Sequence, residues 1–129
     1  MKKVLLSIAS LGIAILLQAQ VSLTINETTA GTLSTLLTQN QKDSLTNLTI
    51  TGSINNNDFI TISNNMAKLA ILDLSGATIV ASQYNTANNL PEDAFVFMGV
   101  PVWSGNPTLK AVTLPINLTS IGNEAFYGS

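Results

Sequence analysis

One spacing of aliphatic residues returns three times along this chain: Leu45, Leu48 and Ile50; Leu69, Leu72 and Leu74; Leu109, Val112 and Leu114. Each set has the form L-x-x-L-x-L. After each comes an aliphatic residue with a phenylalanine five positions later, as Ile54 with Phe59, Leu90 with Phe95, and Ile121 with Phe126. Such self-similarity constrains the fold more than any composition figure, because a unit this short buries its apolar face only against the units before and after it. The pattern predicts one short strand per repeat, a turn, and a short helical piece whose Phe enters the same core from the opposite side. Phe59, Ile62, Met66 and Leu69 fall at helical spacing, which predicts a helix ahead of the second strand. The repeats are uneven in length, with 24 residues from Leu48 to Leu72 and 40 from Leu72 to Val112. The surplus lies in Ala81 to Asn89 and Val96 to Thr108, both expected to bulge as loops. Ser129 falls in the middle of a repeat on this reading, so the expectation is a truncated third repeat and an open end capable of self-association.

Ahead of the first copy, Val21 to Ile25 alternates apolar and polar like a half-buried strand. Thr28 or Thr29 is then placed to cap a helix carrying Leu33, Leu36 and Leu37, ending at Asn40 and the polar Gln41-Lys42-Asp43. Residues 20–44 therefore read as an amino-terminal strand-helix cap, and residues 45–129 as the repeats. Further upstream, Lys2 and Lys3 precede the 14-residue uncharged run Val4 to Leu17, followed by Gln18-Ala19-Gln20. This is the layout of a secretory signal over residues 1–19, with cleavage after Ala19. The run is shorter than the roughly 20 apolar residues a spanning helix needs, so no transmembrane segment is expected after cleavage. No Cys exists to take a lipid anchor.

Composition narrows the chemistry mainly by exclusion. The chain has no His, Cys or Arg, which removes Ser-His-Asp and Cys-His nucleophiles, zinc on His or Cys, and disulfides. Beyond the leader, Lys42, Lys68 and Lys110 face seven acids, a net charge of −4, the wrong sign for a nucleic-acid groove. No cofactor is expected, and no enzyme; a glycosidase built on two carboxylates is the weaker alternative.

The segment Leu109-Lys110-Ala111-Val112-Thr113-Leu114-Pro115, with Leu118-Thr119-Ser120-Ile121-Gly122-Asn123-Glu124-Ala125-Phe126-Tyr127-Gly128, resembles one repeat of the BspA-type leucine-rich repeats of secreted and surface bacterial proteins. Residues 49–54 and 69–77 resemble diverged leading repeats. Leu90-Pro91-Glu92-Asp93-Ala94-Phe95 departs from the signature by lacking its Gly. The resemblance implies an α/β repeat fold, a leucine-rich repeat solenoid. It also implies a non-catalytic surface module that binds an extracellular protein or glycan, as in adhesion to matrix proteins such as fibronectin. A longer multidomain protein with its activity downstream is the alternative.

Several local features invite a functional reading. Glu92 and Asp93 are adjacent acids; read as helix-start acids that suit the macrodipole, they need no catalytic role. Asn55-Asn56-Asn57-Asp58 offers one carboxylate, too few for a calcium loop, and reads as a turn. The sequons at Asn26, Asn47 and Asn117 read as chance matches in a chain rich in Asn and Thr. Trp103, in the Gly- and Pro-punctuated stretch 99–107, and Tyr84, in the other insertion, are the candidate partner-binding aromatics. The competing reading of Trp103 is a plug folded over the core edge.

Overall fold

The computed structural model describes residues 19–98 and 103–129; of residues 103 and 104 it describes the backbone alone. Residues 1–18 of the leader and residues 99–102 lie outside the described residues. The chain is a small mixed α/β domain built on an open sheet of parallel strands. Strand β1 (Ser22–Glu27) is followed by helices α1 (Leu33–Leu36) and α2 (Gln39–Ser44), strand β2 (Asn47–Ile54) and helix α3 (Asn56–Asn65). Short strands β3 (Ile71–Asp73), β4 (Ala77–Ile79), β5 (Asn89–Leu90), β6 (Val96–Met98), β7 (Trp103–Gly105), β8 (Ala111–Thr113) and β9 (Ser120–Ile121) complete the order.

The main sheet runs β1-β2-β3-β8, with β4 pairing the far half of β2. Its register sets Leu23 beside Leu48, Leu48 beside Leu72, and Leu72 beside Val112. Equivalent positions of the sequence motif are thus neighbours in space, stacking like on like. The pairing continues beyond the sheet. Leu90 lies beside Ile121 in the β5–β9 pair, and the Asp93 and Phe95 N–H groups donate to the Asn123 and Ala125 carbonyls. Asp93 and Glu124, which both precede an Ala-Phe pair, both take φ of 54°. Opposite the sheet, the Phe59 and Phe95 rings meet edge to face at 5.8 Å, and Phe95 meets Phe126 at 5.0 Å.

Leu45, Leu48, Ile50, Ile54, Phe59, Leu69, Leu72, Leu74, Leu90 and Phe95 are all buried. Leu109, Val112 and Leu114 are half-buried, packed against the core from one side. Ile121 is 55% and Phe126 38% exposed, whereas Ile54, Phe59, Leu90 and Phe95 at the equivalent motif positions are buried. The reason is positional: β8 has β3 on one side only among the described residues, and β9 has only β5.

Other expectations are corrected by local chemistry. The first helix does not run on from Thr28 or Thr29. Its N-cap is Thr32, and it stops at Leu37, whose backbone is extended. Leu33 and Leu37, four apart, are buried, whereas Leu36 is 49% exposed. Thr38 and Gln41 then form a reciprocal capping box that starts α2, so the polar residues 41–43 lie inside a helix. Asn55-Asn56-Asn57-Asp58 is likewise a helix start, with Asn55 as N-cap and Asp58 completing the box. Residues 92–95 and 123–126 are turns, because their N–H groups bond across to the neighbouring segment or close local turns; Glu92 therefore faces no helix dipole. The stretch Val96 to Thr108 holds an antiparallel hairpin of β6 and β7. The Met98 N–H donates to Asn64 Oδ1 (3.1 Å), which ties the hairpin to α3.

Candidate functional site

Helix α3 carries two faces with different tasks. Phe59, Ile62 and, just past the helix end, Met66 are buried in the core, while Asn56, Asn57, Ile60 and Ser63, together with Phe59, border an open groove of about 460 Å³. The opposite wall comes from the loop bearing Tyr84, the turn Glu92–Ala94, and Met98 at the end of β6. The walls therefore come from segments that the topology, not sequence proximity, brings together.

The apolar part of the rim is accessible. Tyr84 is 68% exposed, Met98 46% and Ile60 38%. The Tyr84 loop is nonetheless organised. Its backbone N–H donates to Ser82 Oγ (3.2 Å), and the buried Asn85 amide donates to the Thr86 carbonyl (3.0 Å) and is within reach of those of Val80 and Asn89. Asp93 is held by its N–H bond to the Asn123 carbonyl (3.2 Å). Two carboxylates and two carboxamides thus edge a groove with an exposed aromatic ring, and none of the described lining residues is basic.

The two candidate aromatics separate here. Tyr84 lies on the groove wall. Trp103 sits in β7 as the register partner of Met98, which also lines the groove, but its side chain lies outside the described residues. A second hollow of about 310 Å³ lies behind the hairpin, between Phe97 and Pro107 and the Ser63–Ala67 end of α3.

The pattern of residues gave no sign of a second feature, a buried acid pair. Glu27, at the end of β1, and Asp58, on the first turn of α3, both have no exposed surface. Asp58 Oδ2 accepts from the N–H groups of Gly31 (2.7 Å) and Asn55 (2.8 Å), and Oδ1 from that of Leu33 (3.1 Å). One carboxylate thereby fixes the β1–α1 turn, the start of α1 and the start of α3. Glu27 Oε1 accepts from the Thr32 N–H (2.8 Å), while Oε2 is buried without a partner. Burial, then the adjacent Asp58 charge, push the Glu27 carboxyl up to about 7 against the opposing Thr32 bond. Two close carboxyls suggest acid-base catalysis, but neither borders the groove or the second hollow. Asp58 is occupied by backbone amides, which makes the pair architectural. Among the described residues no cluster of three or more His, Cys, Asp or Glu is placed to hold a metal. No described helix is long and apolar enough to cross a membrane. The sequence matches no family model and no curated protein.

Proposed function

We propose that this chain is an exported, non-catalytic leucine-rich repeat module of the BspA type that binds an extracellular protein or glycan through the groove beside α3. The observation that carries the reading is the groove itself: an exposed Tyr84 on a hydrogen-bonded loop, facing an α3 wall of amides across from Glu92 and Asp93. The like-on-like register of Leu48, Leu72 and Val112 and the Phe59-Phe95-Phe126 stack support the repeat reading. Export rests on Lys2, Lys3 and the apolar run Val4 to Leu17, with Gln20 as the mature amino terminus. An aromatic at the centre of an interface costs about 2 kcal/mol or more when truncated, about thirtyfold in affinity.

The test takes protein recovered from the culture medium, confirms Gln20 as its first residue by mass spectrometry, and measures binding to fibronectin and to an array of neutral oligosaccharides. Tyr84→Ala is expected to weaken the strongest binding about thirtyfold with an unchanged melt. Undiminished binding by Tyr84→Ala places the ligand elsewhere, and a retained Met1 in the exported protein ends the leader reading. Trp103→Ala, measured the same way, assigns Trp103 to the partner surface if affinity falls, or to the core edge if only the melt falls.

A further inference from the structure

We propose that the occupant of the α3 groove is a cationic side chain, lysine or arginine, presented by an extended peptide segment. This rests on the groove being the ligand site and names the chemistry it selects. Glu92 and Asp93 stand together on one wall, and the described lining contains no lysine to neutralise them. The chain's lysines beyond the leader, Lys42, Lys68 and Lys110, all belong to other surfaces. An anionic ligand would meet two like charges there, whereas a cation meets complementary ones.

Shape points the same way. Along the groove, Ile60, Met98 and the Tyr84 ring expose apolar surface beside the carboxylates. Lysine and arginine have this split character, with an apolar stem that covers hydrocarbon and a charged head that seeks an acid. A guanidinium or ammonium over the Tyr84 face adds a cation–π attraction to the hydrophobic contact of its stem. Asn56 and Asn57 offer carboxamides, able to bond the peptide backbone on either side of the anchor. The groove is open rather than enclosed by the protein, which suits a side chain entering from a passing segment.

The experiment titrates the full chain into fluorescein-labelled hexa-arginine, with hexa-glutamate and maltotetraose as the other arms, reading anisotropy. Hexa-arginine is expected to bind, and hexa-glutamate is not. The double variant Glu92→Gln with Asp93→Asn is expected to weaken hexa-arginine at least tenfold, as is Tyr84→Ala, with unchanged melts. Asp43→Asn removes an exposed acid outside the groove and is expected to leave affinity within twofold. Raising NaCl from about 20 to about 300 mM is expected to weaken wild-type binding and to have little effect on what remains in the double variant. If Asp43→Asn costs as much as the double variant, the attraction is that of net charge alone and the proposal falls. If maltotetraose binds, survives Glu92→Gln with Asp93→Asn and is lost in Tyr84→Ala, the groove is a ligand site but its ligand is a neutral sugar. That result overturns the cationic assignment and leaves the broader reading standing. If no probe responds to any groove variant, both readings fail.

Discussion

The segments around β2 and around β8 carry the same L-x-x-L-x-L spacing, yet they differ sharply in burial. Leu48 and Ile50 are 1% and 0% exposed, whereas Val112 and Leu114 are only half-buried and Ile121 is largely exposed. Strand β2 has β1 on one side and β3 with β4 on the other; β8 has β3. Aliphatic side chains at the same spacing therefore contribute different amounts, because what each buries depends on the strands beside it rather than on its own motif. The region around β2 also carries the polar crosslink that the other lacks, since Asp58 joins three backbone segments and Glu27 lies against it.

The largest contrast is expected along the phenylalanine stack. Phe95 is fully buried between Phe59 and Phe126, so Phe95→Ala should cost about 3–5 kcal/mol in urea unfolding. Phe126→Ala, at 38% exposure, should cost less than half as much. Equal costs would mean that the two regions are packed alike, against the burial difference.

Next in size is Gly52→Ala. Gly52 has φ of +89°, and a Cβ there would sit 2.2 Å from the Glu27 carbonyl, so the backbone of β1 or β2 must shift. Destabilisation by more than about 1 kcal/mol is expected, with loss of amide protection in β1 ahead of β8. A neutral effect would show that β1 is loosely attached.

A smaller and more diagnostic effect is pH dependence. Because the Glu27 carboxyl is raised in the folded protein, its protonated form favours folding. This contribution is full below its ordinary value near 4.5 and is lost as pH rises through about 7. Asp73, held below its ordinary value by the Ser75 N–H, acts oppositely and only in more acid solution. The urea midpoint should therefore be higher at pH 5.5 than at pH 8, and Glu27→Gln should flatten that slope. Asp58→Asn should move the dependence to lower pH by removing the charge that helps raise the Glu27 carboxyl. Its amide then offers fewer acceptor positions, so the midpoint should fall at every pH. A slope unchanged by Glu27→Gln would detach the pair from it.

What the residue pattern revealed and what it hid divide along the same physical line. Aliphatic spacing reports burial, so Leu48, Leu72 and Val112, equivalent in the residue pattern, are register partners in the sheet. The spacing of Phe59, Ile62 and Met66 likewise anticipated α3. Spacing is silent about contacts between polar residues far apart in the chain. Glu27 and Asp58 are 31 positions apart and meet only because β1 and β2 pair. The groove was half legible: Tyr84 stood out as an aromatic in a polar insertion, but its position beside α3 and Glu92 depends on how the loop folds back. The helix break at Leu37 was hidden because the apolar spacing of Leu33, Leu36 and Leu37 suits a helix, while capping by Thr38 and Gln41 decides where the next one starts.

The central claim is that one motif acquires its stability from its neighbours, and native-state hydrogen exchange reads this most directly. In the full chain under weakly denaturing conditions, the amides of Leu48 to Thr51 in β2 are expected to exchange only through global unfolding. Those of Ala111 in β8 and of Gly122 just after β9, which bond the Ala70 and Leu90 carbonyls, should open at markedly lower free energy, with β3 between. Uniform protection of β2, β3, β8 and β9, or stronger protection in β8 than in β2, would contradict the account.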